Sequence, residues 1–283
     1  MRCNTIQIMK TKTAKELGID RLYHYQSFKP LVRLAYIFTG KGLYFSRPRD
    51  FNDPWDCRPC FSKSGLDDHD EYEHTVQWFA RLGRSHNTTI SEEEHLRNEQ
   101  ELRTNRKFLE RMIDEVTNEM VDAIQDQYRV YCLSTHPDST LMWSHYADSC
   151  RGICLEFSVH NELFCGALPV EYHDSYQLFS VIATDGDANL RPLLTKSSDW
   201  NYEDEFRLIA SVPPSVFPNV LTTKNGFLPL PAGALQSVIM GANMPSADRG
   251  VVRRLVKKSE WNVALKVANL VPDRYKFKIE TVE

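Results

Sequence analysis

Apolar residues change their period along this chain of 283 residues. In "DRLYHYQSF" and "KGLYFSRPRDFNDPWD" short alternations predict two strands. Between them, "KPLVRLAYIFTGKG" predicts a short helix closed by glycines. From Gly65 to about Gln127 the chain turns polar and helical. Ser91 and Glu94 there have capping-box spacing, and Phe108, Leu109, Met112, Ile113, Val116, Met120 and Ile124 recur at the helical period. That stripe predicts one buried face, with the charge run left as a solvated surface. Beyond it, "YRVYCLSTH", "RGICLEFS", "LPVEY", "FRLIASV", "VIMGA" and "RYKFKIETV" predict strands. Asp138 or Ser139 is placed to cap a short helix through "TLMWSHYADS", and Ser246 to cap one through "ADRGVVRRLVKK". Strands on both sides of one helical block predict the α+β class, as a single domain over 1–283 with residues 67–127 as a helical insertion.

One predicted strand breaks the apolar pattern. In "KSSDWNYEDEFRLIA" residues two apart share a face, so Glu203, Glu205 and Arg207 line one side and Phe206, Leu208 and Ala210 the other. Two glutamates on one face repel each other and raise one pKa unless a cation compensates. Arg207 and Lys196 are the candidates. The charged face opens either on solvent, as a surface ion pair, or on a cleft with a working carboxylate. The neighbouring Trp200 and Tyr202 favour the cleft.

Three other stretches mix polar groups with aromatics. Alternation puts His24 on one face of its strand and Tyr23 and Tyr25 on the other. A strand-edge histidine with a satisfied hydrogen bond competes there with a ligand contact. Ser46 offers a hydroxyl at a strand end, whereas Asn52 and Asp53 before Pro54 read as a structural turn. Trp143 and Tyr146 lie three apart on a short helix, so they share a face, either for packing or as a stacking wall for a planar ligand.

Composition narrows the classes. A hydrophobic share of 42% with 25% charged residues fits a soluble globular protein. No apolar run is long enough to span a bilayer, and the first residues lack the apolar stretch of a signal peptide, so a cytoplasmic location without membrane partners is expected. Seven cysteines fit reduced thiols better than a disulfide framework. Cys57 and Cys60 have metal-ligand spacing, but a zinc site needs two more ligands, and no metal is expected. The net charge of −4 is uneven, basic before residue 60 and after Arg249 and acidic between about 67 and 127. It gives no argument for general nucleic-acid binding and leaves a local basic groove open.

"LYHY", "LYFSRPRDFNDPWD", "LMWSHYADSCRGICLEF" and "WNYEDEFRL", in this order, resemble the bacterial domain-of-unknown-function 2971 family. The resemblance runs from about Leu22 to the C-terminus, with 67–127 as a variable insertion. More distantly, the chain resembles the ADP-ribosyltransferase superfamily, whose three motifs sit on strands of a split sheet around an NAD cleft. His24 matches the first motif, Ser46 the second, and Glu203 and Glu205 the third, with Glu205 at the position of the catalytic glutamate. The resemblance implies a split antiparallel or mixed sheet, NAD as substrate, and an NAD-dependent ADP-ribosyltransferase or NAD glycohydrolase of the kind found in toxins and antiphage effectors. Glu205, Glu203 and His24 are then the catalytic candidates. His24, Tyr25, Ser46, Trp143, Tyr146 and Arg207 are the candidates for holding the nucleotide, and the acceptor stays open among protein, nucleic acid, small molecule and water. Cleaving the nicotinamide–ribose bond builds positive charge on the ribose, which a nearby carboxylate stabilises.

Two other classes compete. A non-catalytic nucleotide-sensing or partner-binding module would use the aromatic cluster to hold a nucleotide and the acidic block 67–127 to dock a protein. A metal-dependent nuclease would use Asp53, Asp56, Glu203 and Glu205 as oxygen ligands for magnesium.

Overall fold

A computed structural model describes residues 11–39, 42–182, 190–213, 220–259 and 261–282. The first half contains β1 (Arg21–Gln26), α1 (Leu31–Thr39), β2 (Gly42–Tyr44), β3 (Cys60–Phe61), α2 (His69–His86), α3 (Glu92–Thr104) and α4 (Arg106–Gln127). Next come β4 (Tyr128–Ser134), α5 (Thr140–His145), β5 (Ile153–Ser158), β6 (Leu168–Pro169), β7 (Glu171–His173), β8 (Leu178–Phe179) and β9 (Thr195–Ser197). The chain closes with β10 (Glu205–Ser211), β11 (Leu221–Thr222), β12 (Phe227–Pro229), β13 (Leu235–Met240), α6 (Ser246–Lys258), β14 (Ala264–Leu270) and β15 (Phe277–Thr281). The expected glycine closure of α1 at Gly40 lies outside the described residues.

The class is α+β, built on a mixed and largely antiparallel sheet. Its order is β11-β10-β4-β1-β5-β13-β14-β15, with only β10–β11 and β13–β14 parallel along that path. Alternation along β10 works as the sequence predicts. Phe206, Leu208 and Ala210 enter the main core with Leu22, Leu133 and Leu155, which α1 and α6 cover. Two separate apolar clusters, one around Trp143 and one around Leu193 and Ile209, lie outside that core.

β1 and β4 are neighbours that barely pair. β1 is registered against β5 over its whole length, and β4 against β10, yet β1 meets β4 only at Tyr23↔Ser134. Where β1 leaves, Ser46 takes its place and forms an isolated antiparallel bridge with Val130. Backbone groups along a sheet need partners, so this exchange lets the sheet open between β1 and β4.

The helical block differs in detail from its expectation. Residues 92–127 form two helices, not one, because Asn105 leaves the helical region at φ −116° and caps α4 by accepting from Phe108 N. Ser91 does cap α3, accepting from Glu94 N. Ser139 caps α5, whereas Ser246 makes no capping bond at the start of α6. The block carries its own small core of Leu66, Val76, Phe79, Leu102, Leu109 and Ile113, and Ile124 ties α4 to the sheet. β14 has no counterpart among the expected strands. No helix among the described residues is long and apolar enough to cross a membrane.

Candidate functional site

The opening between β1 and β4 is a cavity of about 380 Å³. β1 lends it Tyr23, His24 and Tyr25, and β4 lends it Val130 to Leu133. Ser46, Asn52, Asp56, Arg33, His145, Tyr146, Lys196, Glu203 and Glu205 add the other polar groups of the wall that matter for chemistry.

Glu203 does not sit on the strand as expected. A 3₁₀ turn over Ser198–Glu203 precedes β10, and Asp204 between them takes the left-handed conformation at φ 43°. A non-glycine residue adopts that region at some cost. The kink replaces simple alternation, yet both glutamates still reach one cation. Lys196 Nζ lies 2.5 Å from Glu203 Oε2, 3.2 Å from Glu205 Oε2 and 3.6 Å from Asp56 Oδ2.

Arg207 anchors the other side of this group. Its guanidinium grips Asp56 at 2.8 and 2.7 Å and Glu205 at 2.9 Å through Nε and again through Nη2. Nη1 also donates to Leu193 O at 2.8 Å and to Cys57 Sγ at 3.1 Å. Such forked contacts fix both partners. Arg207 is wholly buried and is not on the cavity wall, so it positions Glu205 and is not a nucleotide contact. Cys57 is engaged here while Cys60 is exposed.

The two glutamates differ in electrostatics. Burial would push Glu205 up, but Arg207 and Lys196 outweigh it and hold the carboxyl at about 2. For Glu203 burial is the largest influence, and with the negative charge of Glu205 it outweighs Lys196, leaving the carboxyl above its ordinary value. Burial opposes the charge on Lys196, yet Glu205 and Asp56 raise its pKa well above the ordinary value. Three carboxylates face two cations, so the fully ionised group carries one surplus negative charge, and Glu203 is where it is least well compensated. Tyr146 donates its hydroxyl to Glu203 Oε1 at 2.5 Å.

His24 stacks on Tyr131 at 4.1 Å between ring centroids, and its Nδ1 lies 2.7 Å from Cys132 O across the split. Burial lowers its pKa to about 4, so the ring is neutral at pH 7. A carbonyl has no proton to give, so Nδ1 carries the hydrogen and Nε2 is left as an acceptor. Tyr25 lines the cavity while donating its hydroxyl to His136 O at 2.6 Å.

The sequence candidates divide accordingly. His24, Tyr25, Ser46, Tyr146, Glu203 and Glu205 are brought to one cavity. Trp143 is not: its indole is fully buried against Tyr25 and Phe277 and donates to Pro137 O, so packing is its role. Tyr146 contributes a hydrogen bond to a carboxylate where packing or a stacking face was expected. Asp53 makes the turn, accepting from Trp55 N at 2.9 Å, and Asn52 is on the cavity wall. Arg33, His145 and the partnership of Asp56 with Arg207 were missed. Asp56 and Arg207 are 151 positions apart and belong to no local pattern.

No protein-family model, curated protein or solved structure matches this chain.

Proposed function

We propose that the chain cleaves the nicotinamide–ribose bond of NAD and passes the ADP-ribosyl group to an acceptor or to water. The observation that carries this is the surplus carboxylate at Glu203 on the wall of a cavity shared with His24 and Ser46. When the bond breaks, its electron pair leaves with nicotinamide, which becomes neutral, and the ribose carbon becomes an oxocarbenium ion. A carboxylate that lacks full compensation stabilises that cation more than it stabilises the substrate. The nucleophile then bonds to the same carbon and sheds its proton.

Glu203 is assigned the role that the superfamily resemblance implies for Glu205. Both Glu205 oxygens are held by Arg207, and Lys196 approaches one of them, so this carboxylate has less left to offer a ligand. Tyr146 and Lys196 fix the direction of Glu203. Nε2 of His24 is placed to accept from a ribose hydroxyl, and Arg33 to meet a phosphate. A divalent cation among Asp56, Glu203 and Glu205 is disfavoured because the Lys196 ammonium already occupies that position.

Incubating the purified protein with NAD, with and without cell lysate as acceptor, tests this by the nicotinamide released. Steady release supports the reading. Absence of release together with absence of NAD binding by calorimetry would overturn it, and binding without release would favour a nucleotide sensor.

A further inference from the structure

A second cavity, of about 250 Å³, lies on the other side of β9. Lys196 lines both cavities, so one residue separates them. Its walls come from two turns and a strand: Trp55 to Pro59, His173 to Phe179, and Thr195 to Ser197. Asp56 and Lys196, on the same turn and strand, belong to the charged group around Glu203, but the lining residues other than Lys196 take no part in that chemistry.

The interior is mostly apolar, with Pro59, Phe179 and Pro192 among its walls. At the mouth stand two aromatic rings that a folded chain ordinarily covers. Trp55 is 64% exposed and Tyr176 45% exposed, and their rings meet nearly edge to face at 5.6 Å. Isolated exposed aromatics need no explanation, but two that share one mouth over an apolar interior form a patch of the kind that marks a binding surface. Tyr176 is held in place by donating its hydroxyl to Arg58 O. The mouth is therefore built by two turns braced against each other.

Polar groups ring this apolar interior. Gln177, on the lining, spends its amide nitrogen on Ser175 O, which leaves its carbonyl oxygen as an acceptor. His173 and Ser175 add groups that give or take a proton in a hydrogen bond. Arg58 is exposed and forms no ion pair among the described residues, while Asp174, the carboxylate on this lining, accepts from the Ser198 hydroxyl. Flat apolar faces select a planar ring, hydrogen-bonding groups at the edge select a heterocycle over a hydrocarbon, and a free guanidinium at the mouth selects an attached phosphate. The volume suits one ring system with its sugar and is too small for a dinucleotide bound whole.

We propose that this cavity is a nucleotide-base site: a single nucleobase stacks on Trp55, with Tyr176 beside it and its phosphate turned toward Arg58. The proposal stands apart from the NAD chemistry, because Lys196 is the one lining residue this pocket shares with the cavity of Glu203, Tyr146 and His24. It gives the chain a second place at which a free nucleotide is held.

The test is calorimetric titration of the purified full chain with AMP, GMP, CMP and UMP, followed by the same titrations of Trp55→Ala and Glu203→Gln. Trp55 is exposed, so its replacement leaves the fold intact, and unchanged melting confirms that. The expected result is saturable binding of at least one nucleotide that weakens on the order of tenfold in Trp55→Ala, the scale of one lost base stack, and is unchanged in Glu203→Gln. Trp55→Phe restores most of it. Binding that survives Trp55→Ala, binding lost in Glu203→Gln, or no binding at millimolar nucleotide would each overturn the proposal. Nicotinamide release is scored separately, so failure of the NAD reading and failure of this one are distinguishable.

Discussion

In the helical block, Arg103 holds Glu73 and Glu99 with side chains 36%, 30% and 21% exposed. At the cavity wall, Arg207 holds Asp56 and Glu205 with side chains 0%, 3% and 3% exposed. The geometries are alike, forked contacts near 2.8–2.9 Å in both places. Solvent makes the difference. In the block, water screens each charge and replaces any lost partner, so the pairs tie helices together loosely. At the wall, each charge depends on its protein partners, and an imbalance of one charge has nowhere to dissipate. A folded protein tolerates such an imbalance mainly where it is used.

The largest expected effect comes from removing the buried guanidinium. Arg207→Leu leaves Asp56 and Glu205 facing each other with only Lys196 between them, and the cost of breaking a buried pair is about 3–5 kcal/mol. Urea denaturation against the wild type measures it, and a loss below about 1 kcal/mol would mean the wall behaves like the helical surface.

Glu203→Gln sharpens the contrast from the other side. It keeps the shape and the hydrogen-bonding atoms but removes the surplus charge, leaving Asp56 and Glu205 balanced by Lys196 and Arg207. Nicotinamide release is expected to fall on the order of a hundredfold or more, the scale of losing one charge-stabilising group. Stability moves the opposite way. A carboxyl whose folded pKa is raised costs stability above its unfolded value, so at pH 7 the variant melts at or above the wild-type temperature.

Acid separates the two glutamates. Glu205, held at about 2 against an ordinary 4.5, contributes stability that is complete above about 4.5 and is lost as pH falls toward 2. The urea midpoint of the wild type should drop through that window. Glu203→Gln should retain the same acid limb, since Glu203 is already protonated there. A flat profile from pH 5 to 2.5 would remove Glu205 as an ionised partner of Arg207.

The smallest effect belongs to the block. Arg103→Ala should cost no more than about 1 kcal/mol in urea, less at high salt, and leave nicotinamide release unchanged.

Most of the sheet was legible because its strands alternate or carry continuous apolar runs between turn residues. β14 was not: "ALKVANL" places a lysine and an asparagine inside a strand, since Lys266 reaches Glu156 and Asn269 reaches Glu280 across the sheet. The break at Asn105 was also hidden, because the apolar stripe on α4 resumes at once and only a capping asparagine marks the boundary. At the site, the sequence brought His24, Ser46, Tyr146, Glu203 and Glu205 forward because charge or hydroxyl groups interrupt strand and helix patterns there. Long-range partnerships stayed invisible. Asp56 entered only as a candidate oxygen ligand for magnesium, and nothing nearby announces that Arg207 closes on it. Trp143 shows the converse, since helical spacing places it beside Tyr146 but cannot tell a cavity wall from the core.

The most direct test of the account is nicotinamide release by Glu203→Gln and Glu205→Gln measured side by side, each scaled to the folded fraction in the assay. The account predicts that Glu203→Gln melts like the wild type and loses turnover, whereas Glu205→Gln loses stability first, because Arg207 loses a charged partner. A Glu203→Gln protein that turns over NAD at the wild-type rate would contradict the assignment of the surplus carboxylate as the working group.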